Sequence, residues 1–438
     1  MKRRLLLPVL FLFAILGGSF LSADDSLTLD QTRTLAVAHS KTLQKLLLSV
    51  DSALVDEKIQ SFTRLPSITA TAGANAAVPQ PSVLNALGVS AGVTVAQTVY
   101  DGGRSTILSA IDSLSTSIAR EKARAQYLGV QAAADAAFFT AVTAAASVDA
   151  AQSDLDDARA NQALAQARME TGTLARSELL KAEAETAAKE TALVQAQGRR
   201  SVSERTLASL IGLSLPLKLE SFESAADEGL VRRFASLTEP QIDALATNLR
   251  GAAEKYSPTI VQASLASRQA RSAVDLAKAG TLPSLNASWS SSVGLAGGNG
   301  TWSSALSLGL SLPLDVWTTQ ANVDSKMLAV RQADLDQEES KRTLELEIEA
   351  SVFDIISAAR AVLSSQKALD YAQSHSQSVQ ERYRLSSASL SDLSDAELLV
   401  STNRTALITA RSQFLTGISS LRTLAGLETD DLLIAIIP

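Results

Sequence analysis

Two periodicities alternate along the chain, and their order repeats. From Ile68 every second residue is apolar, through Ala70, Ala72, Ala74, Ala76 and Val78, while Thr69, Thr71, Gly73 and Asn75 fall between them. Val89, Ala91, Val93, Val95 and Val99 alternate in the same way with Ser90, Gly92, Thr94 and Thr98. A period of two sends successive side chains to opposite faces, so both segments predict strands with one apolar and one polar face. The second half repeats the pattern in Leu285, Ala287, Trp289, Val293 and Leu295, and again in Trp302, Leu306, Leu308, Leu310 and Leu312. Strands are expected at about 67–78, 88–99, 284–296 and 301–313. Each runs for about ten to twelve residues, the length of a tilted strand crossing a bilayer. The polar faces carry small uncharged groups that suit a wet lumen.

A different pattern follows each strand pair. There is no proline between Pro81 and Pro216, nor between Pro313 and Pro438, and both windows are rich in Ala, Leu, Gln, Glu and Arg. Strong helix formers without breakers predict long helices. Ser105 to Glu170 is one candidate of about 66 residues, roughly 100 Å long at 1.5 Å per residue. Gly172 suits a left-handed helix terminus, after which the chain turns back. The corresponding turn, Leu385-Ser386-Ser387-Ala388-Ser389, lacks glycine. The returning helix has a heptad seam at Val400, Leu407, Phe414 and Leu421, with companions at Asn403, Ala410, Gly417 and Leu424. Helical hairpins are expected at about 103–212 and 318–427, and no stretch after the first twenty residues is expected to be a transmembrane helix.

The repetition extends to the residues themselves. Arg168-Met169, Glu178-Leu179 and Ala182-Glu183 return as Arg382-Tyr383, Asp392-Leu393 and Ala396-Glu397, and Ala208 to Leu213 returns loosely as Arg422 to Leu427. Both pairs have an offset of 214; Leu65-Pro66-Ser67 and Leu282-Pro283-Ser284 have 217. A repeat this long is a duplicated half-protein. The expected division is a first repeat at 24–213, a connector at 214–239 and a second repeat at 240–438. Four strands cannot close a barrel, and lipid tolerates no open sheet edge. Strands in a membrane must therefore be pooled, eight from two chains or twelve from three. Trp289 and Trp302 are candidates for an interfacial aromatic girdle or are ordinary strand aromatics.

Composition narrows the function. Lys2, Arg3 and Arg4 precede an apolar run from Leu5 to Phe20, and Ser22-Ala23 offers small residues before Asp24. Residues 1–23 therefore read as a secretory signal peptide. Removing its three cations takes the formal charge from -7 to -10, which argues against nucleic acid as a partner. The chain has no cysteine and two histidines, His39 and His375, far apart. No nucleophile triad, phosphate loop or metalloprotease motif occurs. Neither an enzyme nor a bound cofactor or metal is expected.

Three local motifs resemble one family. Gln97-Thr98-Val99-Tyr100-Asp101-Gly102-Gly103-Arg104 is similar to the strand-to-helix junction of the TolC-like outer-membrane efflux proteins. Arg168 to Glu183 and Arg382 to Glu397 both resemble that family's hairpin-turn motif. The resemblance covers nearly all of the chain after Asp24. It implies a mainly α protein with a transmembrane β-barrel part. Three chains would form a homotrimer, with a twelve-stranded barrel in the outer-membrane lipid on top of an α-helical tunnel in the periplasm. It also implies an exit duct, for efflux or type I secretion, that docks with a periplasmic adaptor protein and an inner-membrane transporter. The gate positions implied are Asp392 and Asp395, which share one helix face. Under three-fold symmetry each becomes an acidic ring that favours cations and raises its own pKa; the alternative is a capping box at Ser389-x-x-Asp392. Tyr383 and Glu178 match a tyrosine–acid link at the closed mouth, although the arginine expected near Ala388 is absent. Thr171, Gly172, Thr173 and Leu174, with Ser386, Ser387 and Ala388, are the expected adaptor contacts. Asp101, Gly102 and Gly103 form the strand–helix junction. The rival class is a non-channel exported coiled-coil protein, which leaves the strand pairs unexplained.

Overall fold

The computed structural model describes residues 26–76, 87–220, 228–296, 299–385 and 387–430. The expected signal at 1–23, the end of the first strand at 77–78, Ser386 and residues 431–438 lie outside them. In chain order the elements are α1 (Leu29–His39), α2 (Lys41–Phe62), β1 (Ser67–Ala76), β2 (Leu87–Tyr100), α3 (Arg104–Glu170) and α4 (Arg176–Ile211). Then come α5 (Glu228–Ala235), α6 (Glu239–Tyr256), α7 (Pro258–Ala279), β3 (Ser284–Ala296), β4 (Asn299–Ser311), α8 (Val316–Arg384) and α9 (Leu390–Leu424). Helix α3 has 67 residues and α8 has 69, so breaker-free sequence did become unbroken helix.

The packing units do not coincide with the repeats. One comprises 1–40, 130–239 and 353–420, and the other 41–129, 240–352 and 421–438, so each draws on both halves of the sequence.

The second unit holds one antiparallel sheet in the order β1-β2-β3-β4. Its register aligns like with like. Ile68, Val95, Trp289 and Leu306 lie in one cross-strand row, and the neighbouring row is Thr69, Thr94, Ser290 and Ala305. Most apolar residues therefore share one face and most hydroxyl-bearing residues the other. No described residue covers the apolar face: Trp302 and Leu306 are each 75% exposed. Strand β4 starts at Asn299, two residues before the expected 301, because Asn299 already pairs with Ala296. Helix α8 likewise starts at Val316 rather than 318, since Thr318 N–H donates to Asp315 Oδ1 at 3.3 Å and fixes the first turn.

The first unit is built around α1, α3, α4 and α9. Ala36, Ala134, Phe138, Val142, Leu207, Ile211 and Leu415 form its core. In that core Arg33 Nε and Nη2 donate to the two carboxylate oxygens of Asp135 at 2.6 and 2.9 Å, and Ser419 Oγ donates to the same carboxylate at 2.5 Å. The seam of α9 is buried at Leu407, Ala410 and Phe414, and Phe414 meets Phe234 edge to face at 5.7 Å. Helix α4 ends at Gly212, whose φ of 72° puts it in the left-handed region. Contrary to the expectation that no later stretch qualifies, α3 contains a window of mean hydropathy 1.3, apolar and long enough to cross a membrane by composition; half of it is buried.

Candidate functional site

Both hairpin turns close by the same device. At the first, Thr173 N–H and its hydroxyl donate to Arg168 O at 2.9 Å each, and Gly172 N–H donates to Met169 O at 2.9 Å. This is a Schellman ending, and Gly172 supplies the positive φ of 76° that it requires. At the second, Ser387 N–H and Oγ donate to Arg382 O at 2.8 and 2.9 Å. Thr173 and Ser387 are again 214 residues apart. Beneath the turns, Ala165, Leu179, Ala182, Val379, Tyr383, Leu390, Leu393 and Ala396 form a small apolar core.

The expected gate and contact residues fall into distinct environments. Thr171, Gly172, Thr173 and Ser387 are exposed, whereas Leu174 and Ala388 lean on the tip core. Leu385, also at the turn, is 77% exposed. Asp392 and Asp395 are both exposed on one face of α9. Asp392 makes the capping box: Ser389 N–H and Oγ each donate to its carboxylate at 2.8 Å, and Asp392 N–H donates to Ser389 Oγ at 3.1 Å. Within one chain its pKa is lowered, not raised, first by the Ser389 N–H, then by the Ser389 hydroxyl and the nearby Arg382 charge. The capping role therefore exists whatever a ring adds.

The Tyr383–Glu178 link is not made within the chain. Tyr383 is 1% exposed, and its hydroxyl is buried without a hydrogen-bond partner among the described residues. The ring packs under the Arg168 guanidinium, 5.0 Å away, and Arg168 Nη1 donates to Tyr383 O at 3.2 Å. Glu178 sits half-buried in the first turn of α4. Arg168 was the residue to watch: a cation on the last turn of α3 has the helix C-terminus, a ring face and a carbonyl within reach.

Sequence reasoning also missed a polar belt between the hairpin helices. Asp154 accepts from Lys189 Nζ at 3.2 Å, Arg404 Nη1 at 3.2 Å and Ser401 Oγ at 2.5 Å. Ser394 Oγ donates to both carboxylate oxygens of Glu185 at 2.8 and 2.9 Å, and Asn161 Nδ2 donates to Glu397 Oε1 at 2.6 Å. Burial pushes the Glu397 carboxyl above the usual glutamate range, against the Asn161 bond and with the nearby Asp157 and Glu185 charges. Burial, then Asp154, raises Asp157 as well.

At the strand-to-helix junction, Asp101 follows β2 and caps α3: Gly103 N–H donates to Oδ1 at 3.0 Å and Ser105 N–H to Oδ2 at 2.7 Å. Gly102 has φ of 68°, and a Cβ there would lie 2.6 Å from Leu282 Cβ. Asp315 plays the same part before α8, at an offset of 214 that would have found it. The two indoles each bond across to the neighbouring strand. Trp289 Nε1 donates to Ser304 Oγ at 3.1 Å and Trp302 Nε1 to Ser291 Oγ at 3.0 Å, so they satisfy the two hydroxyls that intrude on the apolar face.

Comparison with known proteins identifies this arrangement. Solved structures share the fold over most of their length at low identity. CusC matches with a TM-score of 0.78 at 17% identity, over 92% of both chains. The outer membrane protein VceC of Vibrio cholerae matches with 0.75 at 16%, over 91% of this chain and 96% of that one. The CmeC outer membrane channel of Campylobacter jejuni matches with 0.73 at 16%, over 93% and 88%. No curated protein sequence matches significantly. The model of the outer membrane efflux proteins matches residues 33–213 and 249–427, most of the chain and both repeats. The chain belongs to that family of outer-membrane channels, with its helical part in the periplasm.

Proposed function

We propose that three copies of this chain form the exit duct of a tripartite efflux assembly, receiving small-molecule cargo from an inner-membrane transporter through a periplasmic adaptor. The sheet carries the argument. Among the described residues it has two open edges, on β1 and β4, and an apolar face without cover. Exposed edges in lipid are untenable, and neighbouring copies of the same sheet relieve both at once. Repeated hairpins with equivalent turns give each trimer six tips on which an adaptor can seat, with Thr171, Thr173, Leu385 and Ser387 as the exposed contacts. Asp392 and Asp395 are exposed near the second tip of each copy and are the proposed gate rings, while Tyr383 lies in the tip core. The family description favours efflux over protein secretion as the task.

Deletion of the coding sequence tests the assignment. It should sensitise cells to a panel of toxic compounds, with secreted protein unchanged; loss of a secreted protein without a change in susceptibility would favour type I secretion. A photocrosslinker at Thr173 or Leu385 should capture one periplasmic protein, and a soluble monomer after mild extraction would overturn the channel.

A further inference from the structure

The four strands and their flanks have an unusual charge distribution. No residue of β1, β2, β3 or β4 is acidic, basic or histidine. The sequence extends this beyond the strands: 36 consecutive uncharged residues separate Arg64 from Asp101, and 36 more separate Lys278 from Asp315. Both pairs of boundary residues are 214 apart, so each repeat carries the same uncharged window with a cation before it and an aspartate after it.

The boundary charges are also engaged by partners outside the strands. Asp101 is bonded to the first N–H groups of α3, and Asp315 to Thr318 N–H at the start of α8. Arg64 Nη2 donates to Ser105 O at 3.1 Å, and Lys278 pairs with Asp275 at 3.7 Å. Exposed charges are screened within about 8 Å at physiological ionic strength. The hydroxyls of the polar face bond largely to one another or to the sheet. The Ser288 and Ser307 hydroxyls are 2.6 Å apart and those of Ser292 and Ser303 2.9 Å apart, while Thr98 Oγ1 donates to Asn286 Oδ1 at 2.9 Å.

We propose that the polar face of this sheet lines an electrically neutral barrel lumen, which admits hydrophilic cargo of either charge and leaves charge selection to the helical part of the channel. The inference rests on the channel reading above. A lumen ringed by fixed charge concentrates counter-ions about 10-fold or more. Short, mutually bonded hydroxyls do not, and they offer cargo no ion-pairing site at which to stall.

The absence of cysteine makes this testable in the assembled trimer. Ser290→Cys and Thr94→Cys put single thiols on the polar face, and Leu308→Cys puts one on the apolar face. Each is treated in membranes with a cationic and an anionic methanethiosulfonate, and rates are divided by those for a free thiol. The polar-face thiols should react with both reagents, with a corrected ratio within about 3-fold of one, well short of the bias a charged ring produces. Leu308→Cys should react only after unfolding. Adding Thr94→Asp to Ser290→Cys should raise the cationic rate about 10-fold, which calibrates the readout. Accessible polar-face thiols with a bias of about 10-fold or more would overturn neutrality and leave the channel reading standing. Equal labelling of Leu308→Cys, or no labelling of either polar-face thiol in a verified trimer, would overturn both the lumen assignment and the inference.

Discussion

Arg33→Met is the most informative single change in the helical unit. Arg33 reaches from α1 to grip both carboxylate oxygens of Asp135 on α3, and Ser419 on α9 donates to the same group. Asp135 is 0% exposed, so water cannot replace the guanidinium. Truncating one partner of such a pair costs about 3–5 kcal/mol, because the remaining charge stays buried. At about 2–4 °C per kcal/mol for a unit of this size, the apparent melting midpoint should fall by roughly 6–20 °C. The assay is helical circular dichroism of the detergent-solubilised trimer during heating. Arg33→Lys should lose part of this, since one ammonium cannot match the two-point grip. The decisive comparison is Arg33→Met combined with Asp135→Leu, because replacing a whole buried pair with apolar groups is often neutral. The double variant should regain most of the lost midpoint. A neutral Arg33→Met, or a double variant worse than the single, would refute the electrostatic reasoning and leave α1 held by packing alone.

Three further outcomes are expected. Gly102→Ala should destabilise the trimer more than Gly103→Ala, measured by its resistance to heating in detergent: both have positive φ, but only at Gly102 would the added Cβ meet Leu282; equal losses would remove that contact from the account. Asp392→Asn with Asp395→Asn should weaken block of single-channel current by multivalent cations, and unchanged block would remove both residues from the gate. Glu397→Gln should alter the pH dependence of stability. Its folded pKa is raised by burial, so the folded state binds the extra proton and wild-type stability falls as pH rises above the ordinary glutamate value of 4.5. The variant should match wild type near pH 4 and exceed it at neutral pH; parallel melting curves across that range would contradict the shift.

Legibility from sequence followed the range of the interaction responsible. The strands and long helices depend on local periodicity and on the lack of breakers, so their existence and order could be read directly. Their ends moved where a single contact decided them, as when Asp315 started α8 at Val316. The division into units was not readable, because it depends on which parts of the long helices pack together. The polar belt was hidden for a related reason. Asn161, Glu185 and Glu397 look like ordinary helix-surface residues until hairpin packing brings α3, α4 and α9 together. Tyr383 is a further case. Its place in the motif suggested a link to Glu178; within one chain the side chain is instead buried in the tip core that also holds Ala165, Ala182 and Ala396.

The duplication separates scaffold from specialisation without reference to any other protein. Positions 214 apart that do the same physical job have kept it: Asp101 and Asp315 cap helices, Thr173 and Ser387 close turns, and Gly212 and Gly426 hold left-handed φ values of 72° and 69°. The hairpin tips break the pattern just beyond their turns. The second has Ser389, Asp392 and Asp395, where the first has Ala175, Glu178 and Lys181. Ala175 leaves its helix without a side-chain cap, whereas Ser389 and Asp392 cap theirs reciprocally. Glu183 is exposed, while its counterpart Glu397 is drawn into the polar belt. The turns themselves do not account for such a difference, since both close on the carbonyl of an equivalent arginine, Arg168 or Arg382. Past the second turn the helix therefore exposes Asp392 and Asp395, where the first exposes no matching pair of carboxylates and has Lys181 in place of Asp395, although Arg382 and Arg384 precede the second turn. In a three-fold assembly that alternates the two, this difference would recur around the mouth, and it is why the proposed gate rings are placed on the second hairpin, at Asp392 and Asp395.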